Sequence, residues 1–438
     1  MPIRTRFMIH LVALLLVAMT AAPAPVSAQA QRLQPPQAQA QEPWWQRAPV
    51  YNSRHYAIKS DLPREIVAEY ARHLDTVFEA YMMRLRNLTL RTPQQLNVLL
   101  FSSQQEYLMT LQEQYGVNGT GSGGMFFVQR QGSGLALWTE RLPRRRVHHV
   151  LQHEGFHQVA YAYFGTDLPI WVNEGLAEVF GEAILVGREL VIGQTNPRTL
   201  DALRTAIDQN RHISFREMLT MDTATWNARV RDGNARLQYQ QAWSMVHFLI
   251  YGENGKYVGA FDRYLRFLNL GHNSYDAFVR GFGTDDIDSF ERRWIEYAMA
   301  ARPSSFITAL ERIEFLSAGL LELHRQAVYP TTLEELRTEL RKISFRYEYS
   351  MHGVRTVLDS MNDAMFEIPR DDLARDDPAF ELVPPDIRRM PRRERLLHEE
   401  YPIPAMIRTI HLRPKGLEVT WQRNPENPAE FRFEITAK

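Results

Sequence analysis

The 438-residue chain carries 51 basic and 51 acidic side chains and a formal net charge of +0, so neither nucleic acid nor an anionic surface is implied as a partner. Hydrophobic residues at 45% and aromatics at 11% are enough for a packed core, and the length allows two or three domains. Cysteine is absent. That excludes disulfides, a lipid-modified cysteine and thiolate metal sites, so a metal ion here must be held by His and carboxylate.

Residues 1–28 have the three parts of a secretory signal peptide. Arg4 and Arg6 are basic, Phe7 to Met19 is mostly apolar, and small residues suit cleavage after Ala28 or Ala30. The apolar run is short for a bilayer span and no other run is long enough. The expectation is an exported protein, periplasmic or extracellular, without a stable membrane span after cleavage. Residues 29–48 begin rich in Gln, Ala and Pro and read as a linker.

Residues 49–303 read as one domain with strands first and helices after, which is α+β. Arg54 to Lys59 and Gln95 to Phe101 read as strands. Between them Pro63 to Leu85 keeps a helical period through Ile66, Val67, Tyr70, Leu74, Val77 and Phe78. Ser103 to Tyr115 reads as a helix capped by Ser102 or Ser103. The stretch Gly119-Thr120-Gly121-Ser122-Gly123-Gly124 spells G-x-G-x-x-G. A nucleotide fingerprint needs a strand before it and a helix after it. Here the order is reversed, so a mobile loop is expected, with a place bordering the active site as the second reading. Met125 to Arg130 and Leu135 to Thr139 read as a hairpin. Arg144 to Phe164 is a helix opened by Pro143 and closed by Gly165, and Pro169 to Glu182 is a second. Arg188 to Gly193 suits a small strand, and Thr199 to Arg302 reads as mostly helical.

Residues 304–438 read as a separate α+β accessory domain. Ser304 to Leu323 is a helix, and Thr332 with Glu335 forms a capping box. Arg370 to Glu400 mixes acidic and basic runs. Arg388, Arg389, Arg392, Arg393 and Arg395 read as part of a solvated face balanced by Asp371, Asp372, Asp376 and Asp377. Ile407 to His411, Leu417 to Gln422 and Phe431 to Thr436 form a three-stranded meander.

The chemistry lies in His153-Glu154-Gly155-Phe156-His157, an H-E-x-x-H on the helix Arg144 to Phe164. Residues four apart share a helix face. Both imidazoles can therefore face one point that suits zinc, and Glu154 can reach a water there as general base. A catalytic zinc needs three protein ligands, so a third must come from a nearby element. Asn173-Glu174-Gly175-Leu176-Ala177-Glu178 offers two carboxylates on one helix face. His149, one turn before His153, is expected to be partly exposed, with a place in the cleft as the alternative.

His153-Glu154-x-x-His157 followed by Asn173-Glu174-x-x-x-Glu178 resembles the gluzincin branch of the zinc metallopeptidases. Within it, the phrase Trp171 to Glu178 is similar to uncharacterised secreted peptidase-MA-like families. The resemblance spans Tyr51 to Pro303 and implies a zincin-like fold. It implies Glu174 as the third zinc ligand, with Glu178 accepting a hydrogen bond from the far nitrogen of His153 and Asn173 in the supporting shell. It also places an oxyanion-stabilising Tyr on a downstream helix, where Tyr239 stands; a Tyr packed in the core is the competing reading, and His247 is a weaker candidate.

The expected activity is hydrolysis of a peptide bond in a peptide or protein substrate, pairing with a free edge of the hairpin, either Met125 to Arg130 or Leu135 to Thr139. An exported binding or assembly factor with a structural or vestigial zinc site is the alternative. Hydrolysis of a non-peptide amide is a third.

Overall fold

The computed structural model describes residues 44–91, 95–129, 132–186, 189–351, 354–368, 379–412 and 416–437. The expected signal peptide, most of the linker and the acidic run Asp371 to Asp377 lie outside these residues. The chain is α+β. A single helical turn, α1 (Trp44–Arg47), precedes β1 (Tyr51–Asn52), β2 (Tyr56–Ser60), α2 (Arg64–Leu85), β3 (Leu96–Phe101) and α3 (Gln104–Tyr115). Then come β4 (Gly124–Gln129), β5 (Gly132–Trp138), α4 (Arg144–Phe164) and α5 (Ile170–Gly181).

These strands form one five-stranded sheet in the order β1-β2-β3-β5-β4. β2, β3 and β5 are parallel neighbours, while β4 is antiparallel to β5. Both faces are covered, and the alternation of strand side chains shows it. Val98 and Leu100 of β3 join Leu135 and Leu137 of β5 in the main core against α2 and α4. Leu99, Phe101, Ala136 and Phe127 face the other way, onto Tyr107 and Leu111 of α3. The pairing corrects one expectation. β5 is hydrogen-bonded on both sides, so the stretch from Leu135 offers no free edge; β4 is the edge strand. A short-range hairpin signal cannot reveal this, because the parallel partner β3 lies over thirty residues earlier.

Helix ends follow local chemistry. Ser103 Oγ accepts from the Glu106 amide, and Gly116 closes α3 at φ 65. Pro143 and Pro169 precede α4 and α5, and Gly165 ends α4 with φ 61. β6 (Ile184–Val186) and β7 (Glu189–Val191) pair as a small ribbon. The helical run follows as α6 (Pro197–Asp208), α7 (Phe215–Thr220), α8 (Thr223–Arg229), α9 (Ala235–Tyr251), α10 (Val258–Asn269), α11 (Ser274–Phe282) and α12 (Ile287–Ala300). α5 packs closely on α9 at Gly175. A Cβ there would stand 2.5 Å from the Ala242 carbonyl oxygen, so only glycine permits this approach.

The tail holds α13 (Ser305–Arg325), α14 (Leu333–Lys342), β8 (Arg346–Met351), β9 (Val354–Asp359), β10 (Phe380–Val383), α15 (Arg392–Glu400), β11 (Met406–Thr409), β12 (Leu417–Arg423) and β13 (Phe431–Ala437). Its apolar residues form a cluster of their own, which Ile184 of β6 also enters. The Thr332 cap accepts from the Glu335 amide, and Glu335 reaches back to the Thr331 amide. The expected meander is a four-stranded sheet in the order β10-β11-β12-β13, with β10 rising out of the charge-rich stretch. β8 and β9 form a further hairpin that charge and turn patterning did not reveal. Arg388, Arg389 and the arginines of α15 are exposed, as a solvated face requires. Among the described residues no helix is long and apolar enough to cross a membrane.

Candidate metal centre

α4 is buried almost all round, with Val147, Leu151, Phe156, Val159 and Phe164 in the core, as befits a helix enclosed by the sheet and its neighbours. Its polar residues are therefore costly unless partnered. His153 and His157 turn their rings to one point: their Nε2 atoms lie 3.1 Å apart. Glu174 comes in from α5, with Oε2 3.3 Å from His153 Nε2 and 3.4 Å from His157 Nε2. Three donors bound to zinc at about 2.0–2.1 Å in a tetrahedron stand about 3.3 Å from one another. The observed triangle has those edges.

Each ring's far nitrogen determines which proton it carries. His157 Nδ1 lies 3.0 Å from Asn173 Oδ1. An amide oxygen only accepts, so Nδ1 holds the hydrogen and donates it. His153 Nδ1 faces Glu178 Oε1 at 3.4 Å, an ion-pair contact rather than a hydrogen bond. In the neutral rings both Nε2 atoms would present lone pairs to each other and to an anionic oxygen. A proton or a metal ion at the centre relieves that repulsion. The donor distances fit an ion of the size of zinc.

Charge within the cluster is strongly coupled. Burial opposes the charged form of His157, but the Glu174 carboxylate prevails and holds it up to about 9. Burial likewise opposes ionisation of Glu174, yet the two imidazoles hold it far below the usual carboxylate range. Glu178 is pushed up to about 7, first by burial and then by Glu182 and Glu174, against the pull of His153.

Among the described residues two groups could hold a metal ion: His153, His157 and Glu174, and also His149, His153 and Glu178. His153 belongs to both. Its Nε2 lies 3.1 Å from His157 Nε2 and 3.3 Å from Glu174 Oε2, so the first group is the one with tetrahedral edges. His149 is 4% exposed. This corrects the expectation of partial exposure: α5 closes over it, and its ring lies 2.9 Å from where a Cβ of Gly181 would stand.

A cavity of about 420 Å³ adjoins the centre. His149, His153, Glu154 and Glu178 line it from one side, and Tyr239 and Trp243 of α9 from another. The glycine loop from Thr120 to Gly124 also borders it. Glu154 Oε2 accepts a 2.8 Å hydrogen bond from the Phe126 amide of β4, which orients the carboxylate. The same bond shows that the Phe126 N–H points away from β5, so β4 faces the site with its free edge. Tyr239 lies with its ring 6.4 Å from that of His153 and 5.5 Å from Trp226. Its hydroxyl is pushed well above its ordinary pKa, first by the Glu174 charge and then by burial. It is therefore a neutral donor. His247 is elsewhere: it contacts the Tyr297 hydroxyl at 2.6 Å and the Gly193 carbonyl at 3.2 Å, and does not line the cavity.

Two features were not singled out by the motifs. Gln152 donates to the Ala183 carbonyl at 2.9 Å and to Phe180 O, and its Oε1 accepts from His73 Nε2 at 3.0 Å. It ties α2, α4 and the end of α5 together beside His153. Arg146 lines the cavity two helical turns before His153. Its seven-residue offset on the motif helix was the available signal.

A family model described as a protein of unknown function (DUF1570) matches residues 148–267. That stretch contains His153, Glu154, His157, Glu174, Glu178 and Tyr239. No curated protein matches the chain.

Proposed function

We propose that this chain is a zinc-dependent peptidase of the gluzincin type, acting outside the cytoplasm. His153, His157 and Glu174 would hold the ion. The observation that carries the reading is their donor triangle, placed beside a cavity that also contains a carboxylate held by its own hydrogen bond. A purely structural site has no use for that carboxylate or for the cavity. Zinc supplies Lewis-acid polarisation to a water and to the scissile carbonyl.

The chain's own residues do the rest. Glu154, anchored through Oε2, takes the proton of the attacking water and returns it to the nitrogen of the departing amine. Tyr239 donates its hydroxyl hydrogen to the carbonyl oxygen as negative charge develops there. Asn173 and Glu178 hold the imidazoles in the tautomer that presents Nε2. The outward amide and carbonyl groups of β4 offer an extended peptide a strand to pair with.

The test combines elemental analysis with cleavage of a broad peptide library by the purified chain and by Glu154→Gln. The expected result is one zinc per chain in both and cleavage by the first alone. Undiminished cleavage by Glu154→Gln would sink the mechanism. Stoichiometric zinc with no cleavage by either would favour an exported binding factor.

A further inference from the structure

Arg146 is buried to 9% exposure on the cavity wall. Its Nη1 has no hydrogen-bond partner, and no carboxylate of the described residues forms an ion pair with it. Its Nη2 lies against the glycine loop, 3.1 Å from where a Cβ of Gly123 would stand, so a side chain there would crowd it. A buried guanidinium nitrogen without a hydrogen-bond partner is costly, and such a group calls for an anion.

Glu178, Glu154 and Glu182 attract it only from a distance, and each has a nearer partner. Glu154 accepts from the Phe126 amide, Glu178 faces His153, Glu182 is hydrogen-bonded by Asn196, and Arg198 pairs with Glu311 at 2.6 Å. Arg236, exposed on the cavity wall contributed by α9, adds positive charge on the far side.

We propose that Arg146 is a substrate anchor that binds a carboxylate about three residues to the C-terminal side of the scissile bond. The class of substrate is thus a peptide that is acidic at that position or that ends there in a free carboxylate. The inference rests on the peptidase reading above.

The spacing follows from the helix. Seven residues separate Arg146 from His153, which is about 10 Å of helix axis. An extended peptide covers that in about three residues. The direction follows from β4. Gly123 lies at Arg146, Gly124 at Val150 and Phe126 at Glu154, so β4 and α4 run the same way where they face each other. A peptide added antiparallel to β4 therefore places its C-terminal side at Arg146. The forked guanidinium can bind a carboxylate through two parallel hydrogen bonds.

The test uses three peptides of one core sequence: one with Glu at the third leaving-side residue and an amidated end, one neutral with a free terminal carboxylate there, and one neutral and amidated. Cleavage is measured with the zinc-loaded chain, and binding by calorimetry with both zinc-loaded and zinc-stripped chains. At least one carboxylate peptide should bind and be cleaved on the order of 10- to 100-fold better than the neutral one. Which of them does so identifies the source. In Arg146→Met that ratio should fall to about one. Arg146→Lys, which keeps the charge but not the fork, should fall between and guards against a folding defect. Equal handling of all three peptides by the unmodified chain overturns the proposal, and so does an acid preference that survives in Arg146→Met. Arg146-dependent binding without any cleavage would remove the peptidase reading and leave the anchor standing. Cleavage without preference would do the reverse.

Discussion

Asn173 Oδ1 accepts the Nδ1 proton of His157 across 3.0 Å, and this one bond determines which nitrogen of the ring faces His153 and Glu174 at the candidate metal centre. Removing the acceptor frees the ring to rotate and to change tautomer. Asn173→Ala should lower zinc affinity about 10- to 100-fold, read by competition with a chromogenic chelator. Undiminished affinity would mean that packing alone orients His157.

Tyr239 stands between two readings, donor to the oxyanion and core aromatic. Its ring touches both His153 and Trp226. Tyr239→Phe keeps the packing and removes the hydroxyl. We expect kcat to fall about 10²- to 10³-fold with KM and zinc content little changed. Unchanged kcat in a stable variant would assign Tyr239 to the core.

Gly175 sets how closely the helix bearing Glu174 approaches the helix bearing Tyr239. The atom nearest an added Cβ is backbone, the Ala242 carbonyl oxygen, and Val246 Cγ2 stands at 2.6 Å. Neither can swing away as a flexible side chain would. Gly175→Ala should cost about 1–3 kcal/mol of stability, seen as a lower denaturation midpoint, and it should weaken zinc binding by displacing Glu174. A midpoint equal to that of the unmodified chain would show that the helices part freely.

His73 provides a pH-dependent term. It is buried and stacked on His148 with ring centroids 4.0 Å apart. Burial, only partly offset by the Gln152 hydrogen bond, lowers its pKa to about 4 from an ordinary 6.5. Between those values the unfolded chain binds the proton and the folded chain does not, so stability rises with pH there. The contribution is fully present above pH 6.5 and is lost as the pH falls toward 4, to at most about 3 kcal/mol. Burial lowers His148 and His247 too, with the same sign. His73→Phe keeps a stacked ring but cannot titrate. Its denaturation midpoint should fall less steeply from pH 7 to pH 4.5, and an identical slope would refute the assignment.

Sequence alone determined what a single helix determines. The four-residue step from His153 to His157, and from Glu174 to Glu178, places each pair on one face whatever surrounds it. Pro143, Gly165, Ser103 and Thr332 marked helix ends because capping is chemistry within a few residues. The short apolar run of β3 foretold a strand for the same local reason, though not the two different cores it feeds.

The rest was decided by contacts between residues far apart in the chain. β5 lost its free edge to β3, and β4 kept its own. β10 emerged from a charge-rich stretch because β11 was there to pair with it. His149 became buried when α5 closed over it. Arg146 is unremarkable as one basic residue among 51; that its Nη1 is buried without a hydrogen-bond partner appears only once the glycine loop, α5 and α9 enclose it. Local periodicity follows from the geometry of the backbone, whereas burial and pairing depend on which distant surfaces meet, and short stretches of sequence do not encode that meeting.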